Sequence, residues 1–278
     1  MSHFKLIAVY IVLLSACIYS QDNYEVNLQK GKTAFEVGKF EDALKYFDMF
    51  LLQRPDDYRG YIGRGNTLVL INRSEDAIRD FNHSLELESD NASAYSGLGS
   101  AYAFLGDKNK AEKNYKKAIE LKPDDVNSMN SLATLMARYG DYKSAFEIIN
   151  GALKIDTQYA EGYRNRCALY FFTGDTVKAF ADINKAIELK PNDPVMYNTR
   201  GALFREANRY EDAIKDFNRA IELDSNNAEA FCRRGVAYLY MENYEQCISD
   251  IEHGLQLEPS METLVKKYLE EAKEKKGK

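Results

Sequence analysis

Small and apolar residues recur along this chain with a period of 34 residues, seven times from Tyr24 to Met261. The twentieth position of each period is small: Ala43, Ala77, Ala111, Ala145, Ala179, Ala213 and Cys247. The eighth position is small as well, whereas positions 24 and 28 hold aromatic or aliphatic residues. Positions 20, 24, 27 and 28 fall on one helical face. Each period therefore predicts a helix with an apolar stripe that packs closely against a preceding helix.

Turn-forming residues divide each period into two helices. Position 15 is Gly or Asn in six periods, and both tolerate the left-handed conformation that ends a helix. The seventh has Glu242 there, and we predict that Asn243 takes this role one residue later. Second helices should end before the prolines Pro55, Pro123, Pro191 and Pro259. The following helices should begin at the N-caps Asp57, Asn91, Asp125, Asp193 and Asn227.

This pattern resembles that of the tetratricopeptide repeat family, which has small residues at positions 8 and 20, aromatic residues at 11 and 24 and proline at 32. The corresponding repeats, one to seven, are 24–57, 58–91, 92–125, 126–159, 160–193, 194–227 and 228–261. The resemblance implies an all-α, right-handed superhelical solenoid whose first helices line a concave groove. An amphipathic helix at 262–276 should cap the array, and residues 21–278 are expected to form a single solenoid domain.

Residues 1–20 are typical of a secretory signal peptide. The apolar run 6–14 follows Lys5 and is too short to span a bilayer as a helix. Cleavage after Ser20 would leave a periplasmic or secreted chain. Alternatively, residues 14–17 look like the lipobox of bacterial lipoproteins, which would place a lipid on Cys17 and anchor the chain to a membrane. Both alternatives predict export.

Charge and composition argue against several functions. The formal net charge is −6 and no basic stripe interrupts the repeats, so nucleic-acid binding is not expected. His83 and His253 have no second ligand at metal-binding spacing, and we expect no metal site. Motifs for phosphate loops or nucleophilic hydrolases are missing from the sequence, and neither a cofactor nor catalytic residues are predicted.

The three cysteines beyond residue 20 do not suggest a disulfide framework. Cys167 and Cys247 occupy the small core positions 8 and 20, where a thiol acts as a small hydrophobic group. Cys232 stands at position 5, on the side expected to face the groove. We therefore predict three free thiols, with Cys232 the most reactive.

Arginine at position 7 and aspartate at position 23 occur together in four repeats and are both missing from the other three. The pairs are Arg64/Asp80, Arg166/Asp182, Arg200/Asp216 and Arg234/Asp250. This coincidence predicts an ion pair between first and second helices, within one repeat or across one stacking contact.

Family geometry places positions 2, 5, 6, 9, 12 and 13 of the first helix on the concave wall. The predicted partner-binding residues are Ser96, Ser100, Asn127, Asn130, Thr134, Arg138, Arg164, Asn165, Asn198 and Arg233. Serine and asparagine can bond a peptide main chain, and arginine can hold a carboxylate. An aromatic and aliphatic patch, Phe171, Phe172, Leu239 and Tyr240, is also expected to be exposed there. The alternative is that the predicted partner-binding residues form an ordinary polar surface.

These features together predict a non-catalytic, exported scaffold that binds an extended peptide or a helix of a partner protein in its groove. The alternative is a lipid-anchored structural component of a cell-envelope assembly. The sequence does not identify the partner.

Overall fold

The computed structural model describes residues 24–277, so the predicted signal peptide (1–20) and the proposed lipid site at Cys17 lie outside the described residues. All regular structure in residues 24–277 is helical. The α-helices are α1 (24–36), α2 (Phe40–Gln53), α3 (Tyr58–Leu70), α4 (Ser74–Leu87), α5 (Ala92–Phe104), α6 (Lys108–Leu121), α7 (Val126–Arg138), α8 (Tyr142–Ile155), α9 (Ala160–Phe172), α10 (Thr176–Leu189), α11 (Pro194–Glu206), α12 (Tyr210–Leu223), α13 (Ala228–Tyr240), α14 (Tyr244–Leu257) and α15 (Glu262–Lys276), and a 3₁₀ turn covers Pro259–Met261.

The predicted helix boundaries are confirmed. From α3 to α14 the helices alternate between 13 and 14 residues, so the register never shifts. Side chains of all five predicted N-caps accept a backbone N–H of the helix that follows: Asp57, Asn91, Asp125, Asp193 and Asn227. These bonds satisfy N–H groups that have no partner inside the helix.

The residue at position 15 ends every first helix in the left-handed conformation. Positive φ angles occur at Gly38, Asn72, Gly106, Gly140, Gly174 and Asn208, as predicted. The prediction for repeat seven was wrong, because Glu242 itself has a φ of 62° and Asn243 is the N-cap of α14. The fixed register forces the left-handed turn onto this position, and glutamate adopts it despite the steric strain on its Cβ.

The described residues form two compact units that divide between Tyr139 and Gly140. In residues 24–139, successive helices from α2 to α7 pack on one another, and the first helices α3, α5 and α7 also meet in order. In residues 140–277, successive helices from α8 to α14 pack in the same way, and α15 packs on α13 and α14. The capping position of α15 is as predicted, whereas the single domain at 21–278 stays a prediction.

Position 24 supplies two of the three fully buried phenylalanines in residues 24–139. Phe47 and Phe81 are fully buried, and each ring lies against two glycines. A Cβ added at Gly65 would lie 2.7 Å from the Phe81 ring, and one added at Gly97 in the next repeat would lie 2.4 Å from it. Glycine therefore lets each ring fill the space between successive first helices.

All four predicted arginine–aspartate pairs form within single repeats. Nε and Nη2 of each arginine donate to the two carboxylate oxygens over 2.7–2.8 Å. The hydrogen bonds to aspartate raise the pKa of each arginine, with burial opposing them. The third contact was not predicted: Nη1 donates to position 25 of the preceding repeat, at Asp48, Asn150, Asn184 or Asn218. Each of these arginines therefore joins three helices, and we call this set of three contacts an arginine clamp.

Candidate protein-binding face

Side chains at positions 2, 5, 6, 9, 12 and 13 of the first helices lie together within each unit; we call them the first-helix face. Three cavities open on it. Cavity A, about 410 Å³, is lined by Lys32, Phe35, Glu36, Phe47, Tyr58, Arg59, Ile62, Gly63, Asn66, Asn91 and Ser93. Cavity B, about 280 Å³, is lined by Ser100, Ala103, Phe104, Tyr115, Asn130, Ser131, Thr134, Leu135 and Arg138. Cavity C, about 310 Å³, is lined by Arg164, Cys167, Ala168, Phe171, Phe172, Val195, Asn198, Thr199, Ala202, Leu203, Glu206, Glu229 and Arg233.

The predicted partner-binding residues fall into three groups. Ser100, Asn130, Thr134 and Arg138 line cavity B. Arg164, Asn198 and Arg233 line cavity C. Ser96, Asn127 and Asn165 do not line any of these three cavities. The structure thus brings seven of the ten together in two places, while their binding role stays a prediction.

Cavity A was not predicted, and its arginine is already engaged. Arg59 Nη2 lies 2.7 Å from Asp57 Oδ2 and 2.6 Å from Glu25 Oε1. The hydrogen bond from Arg59 is the main cause that lowers the pKa of Asp57. This cavity therefore offers apolar walls and amides, but the positive charge of Arg59 is neutralised locally.

Hydroxyl groups dominate cavity B. The Tyr115 hydroxyl lies 3.0 Å from Ser100 Oγ, and burial raises the pKa of this tyrosine although hydrogen bonds to serines oppose the shift. Thr134 Oγ1 donates to the backbone oxygen of Asn130 over 2.9 Å. Phe104, on the same wall, is 58% exposed. The cavity combines neutral hydrogen-bonding groups and the guanidinium of Arg138 with an exposed aromatic ring, which suits a peptide segment.

Cavity C has a different balance of charge. Arg233 is held by Glu229 at 2.5 Å, and Glu206 is held by Arg205 at 2.5 Å. Arg164 is half-buried and forms no ion pair with any residue in the described part of the chain. Its nearest acidic neighbour along α9, Glu161, is engaged by Lys190. Although burial opposes it, that bond lowers the pKa of Glu161, and Arg164 adds a smaller effect.

Two expectations about this face were wrong. Leu239 is only 4% exposed, in a cluster with Val265 of α15. Asn198 is equally buried, although it lines cavity C. Cys232 is 1% exposed, because its sulfur lies against Gly254, where an added Cβ would be 2.5 Å away. Burial raises the pKa of Cys232 to about 11, so it is not a reactive thiol. Phe172 and Tyr240 are exposed as predicted, at 68% and 52%.

Both histidines of the described residues pack against an aromatic ring, and His83 Nδ1 also lies 2.9 Å from Glu86 Oε2. His83 lies edge-on to Tyr61, and His253 edge-on to Phe231, each with ring centroids 4.4 Å apart. Residues 24–277 contain no group of three or more His, Cys, Asp or Glu side chains placed to hold a metal. Within the same range, every helix is too short or too polar to span a membrane.

The structure is an all-α repeat solenoid with three cavities on its first-helix face. Family models described as tetratricopeptide repeat match residues 28–92, 92–125 and 228–261, and one described as TPR repeat matches residues 201–241. The chain belongs to the tetratricopeptide repeat (TPR) family. A comparison with curated protein sequences finds no significant match.

Solved structures share this fold. A TPR protein from Parabacteroides merdae superposes with a TM-score of 0.67 at 17% identity, covering 90% of this chain and 99% of that one. A chain of the APC/C hetero-tetramer Cut9–Hcn1 gives the same score and identity, but this chain spans only 52% of its length. A thermophilic TPR protein from Thermus thermophilus gives 0.61 at 21% identity, covering 66% of this chain and 99% of that one. These similarities establish an all-α superhelical TPR solenoid. A function has to be argued from the residues of the first-helix face.

Proposed function

We propose that this chain is a non-catalytic protein-interaction scaffold whose first-helix face binds an extended peptide or a helix of a partner protein. The observation that carries the proposal is that all three cavities open on the same repeat positions of the first helices. Within the first unit, cavities A and B give two subsites for a linear ligand, which can pair its main chain and dock alternate side chains.

The chemistry of the cavities supports a polypeptide ligand. Their walls combine apolar area with hydroxyl, amide and guanidinium groups, as protein-binding surfaces do. TPR proteins commonly serve as interaction scaffolds, and one similar fold belongs to the assembly described as the Cut9–Hcn1 hetero-tetramer.

Site-specific crosslinking tests the proposed face. A photoreactive phenylalanine at Thr134, on the first-helix face, should give discrete crosslinks to a partner in cells that produce the protein. The matched control is Lys116, which lies on the second helix α6 with a side chain that is 63% exposed. Equal crosslinking from both positions, or from Lys116 alone, would show that the partner uses another face.

We also propose, from the sequence of residues 1–20 alone, that the chain is exported. The two alternatives differ in the first residue of the mature protein. Mass spectrometry of that terminus should find either Gln21 or a lipid-modified Cys17. A lipidated Cys17 would favour the structural role in an envelope assembly, and an intact Met1 would rule out both forms of processing.

A further inference from the structure

We infer that cavity C selects a partner segment that carries a carboxylate next to a large apolar side chain. This inference deepens the proposed function and depends on it. Arg164 is the reason for the carboxylate: the other charged side chains lining the cavity, Arg233, Glu206 and Glu229, all have partners in ion pairs. A half-buried guanidinium without an ionic partner binds a carboxylate more strongly than an exposed one does.

The apolar walls beside Arg164 are the reason for the second feature of the ligand, a large apolar side chain. Phe171 and Phe172 follow on the same helix with ring centroids 5.9 Å apart, and Phe172 is 68% exposed. Ala168, Val195 and Ala202 complete this wall. Small side chains at these points leave room in the cavity, and burying a ligand ring or aliphatic group there removes apolar surface from water.

Asn198 supplies a third, independent feature on the same cavity. Its Nδ2 donates to Asn227 Oδ1 over 3.1 Å, and that oxygen also accepts the backbone N–H of Ala230. Because Asn227 Oδ1 is an acceptor, the Asn198 amide directs its Nδ2 toward Asn227 and its Oδ1 away from Asn227. Oδ1 of Asn198 is buried and has no hydrogen-bond partner in the described residues. Because this oxygen has almost no accessible surface, a peptide N–H reaches and satisfies it only if the cavity wall moves.

The carboxylate can come from an acidic side chain within the segment or from the C-terminus of the partner. Both present the same two oxygens to Arg164, and a selection experiment separates them. The probes are two libraries of random decapeptides, one with free C-termini and one with amidated C-termini. Each is selected on the full chain and read out by sequencing.

The wild-type chain should enrich Asp or Glu adjacent to Phe, Leu or Tyr. Enrichment in the amidated library would identify an internal acidic residue, and enrichment confined to the free library would identify a C-terminus. Arg164→Gln should weaken binding of the selected peptides roughly ten- to a hundredfold, the range for a hydrogen bond to a charged group. Phe172→Ala should reduce the preference for the apolar residue and retain the acidic one.

Arg219→Gln is the matched control, since it removes the same charge from the same unit on the second helix α12, where Arg219 pairs with Glu222. It should leave peptide binding unchanged. Circular dichroism should show equal helicity for all variants, because Arg164 has no ion pair to lose and the Arg219–Glu222 pair is exposed to solvent. Peptides that bind the first-helix face with no acidic preference, or an acidic preference that survives Arg164→Gln, would overturn this inference and leave the proposed function intact. Failure of both libraries to bind would contradict both.

Discussion

Residues 24–139 and residues 140–277 build the same helix pair but fill its centre with different side chains. In the first unit, position 24 is Phe47, Phe81 or Tyr115, and the next first helix offers Gly63, Gly97 or Ser131 at position 6. In the second unit, position 24 is Ile149, Ile183, Phe217 or Ile251, and position 6 is Asn165, Thr199 or Arg233. Phe47 and Phe81 in the first unit therefore pack against glycines of two successive first helices, whereas Phe217 in the second unit meets glycine only in its own repeat, at Gly201.

The arginine clamps are also distributed unevenly, and most of them lie in the second unit. The first unit has one clamp, at Arg64, and the second has three, at Arg166, Arg200 and Arg234. Since glycine at position 6 has no side chain, repeats two and three leave this part of the first-helix face bare. Repeats five to seven keep polar side chains there and join their helices through the clamps. Cavity C therefore has Thr199 and Arg233 at position 6, where cavity A has Gly63.

The two units should differ most in thiol labelling, because all three cysteines in the described residues lie in the second unit. Burial raises the pKa of Cys167 and Cys247 to about 12 and of Cys232 to about 11. At pH 8 the native thiolate fraction is then at least about a hundredfold below that of an ordinary cysteine. A Cys17→Ser chain should label with an aromatic disulfide reagent at least that much more slowly when folded than in urea.

Fast labelling of Cys232 in the folded chain would contradict this burial. The raised pKa values also set the sign of a pH effect. The unfolded thiols ionise first, so stability should fall as pH rises from about 8.5 towards 11. Because the first unit contributes no thiol, labelling reports on the second unit. If residues 21–278 form one domain, as the sequence predicts, labelling and loss of helicity should share one urea midpoint.

The two arms of a clamp should differ in their contribution to stability. Asp80 has a side chain that is only 10% exposed, whereas Asp48, the other carboxylate on Arg64, is 55% exposed. Asp80→Asn should lower the free energy of unfolding by about 2–3 kcal/mol, less than a fully buried pair because Arg64 retains some exposure. Asp48→Asn copies the second unit, where asparagine holds this position, and should cost less than about 1 kcal/mol.

Urea unfolding followed by circular dichroism measures both variants. Similar losses in the free energy of unfolding for Asp80→Asn and Asp48→Asn would show that the buried arm contributes no more to stability than the exposed arm. The comparison of the units would then need another physical basis, because the clamps would be no stronger than surface ion pairs.

Exchanging the packing of the two units should have an intermediate effect. Gly97→Thr places the side chain of Thr199 into the first unit, and its Cβ would lie 2.4 Å from the Phe81 ring. We expect a loss of about 1–3 kcal/mol from overpacking. Phe81→Ile, which copies the second unit, should relieve the clash, so the double variant should be more stable than the sum of the two losses predicts. Strict additivity in urea unfolding would show that Phe81 is not what requires glycine at position 97.

The sequence predicted the features that depend on local chemistry and a strict period. Caps such as Asp57 act on their own helix, and the pairing of Arg64 with Asp80 followed from their joint occurrence in single repeats. The second arm, to Asp48, was missed because position 25 varies among Asp, Asn, Lys and Glu, and its role depends on the stacking of the next repeat. Contacts between repeats leave a weaker trace in the sequence than contacts within them.

The candidate site was predicted by position but not by environment. Family geometry placed Arg164, Asn198 and Arg233 on one face, and all three line cavity C. It could not show that Glu229 engages Arg233 while Arg164 lacks an ionic partner in the described residues, since both are arginines in the same kind of position. Cys232 was misjudged because its sulfur lies against Gly254 of its own repeat, in a cluster with Val265 and Ala272 of α15, a helix that the repeat pattern does not describe.

The smallest predicted effect concerns the one turn at which the second unit departs from the pattern. Glu242 adopts a φ of 62°, where four other repeats have glycine. Glu242→Gly should stabilise the chain by about 0.5–1 kcal/mol, because relief of the left-handed strain exceeds the entropy that glycine adds to the unfolded chain. The reverse change, Gly174→Glu, has nothing within 4 Å of its Cβ and should destabilise by a similar amount. Equal stability of wild type and Glu242→Gly in urea unfolding would mean that contacts of the glutamate side chain offset the strain of its backbone.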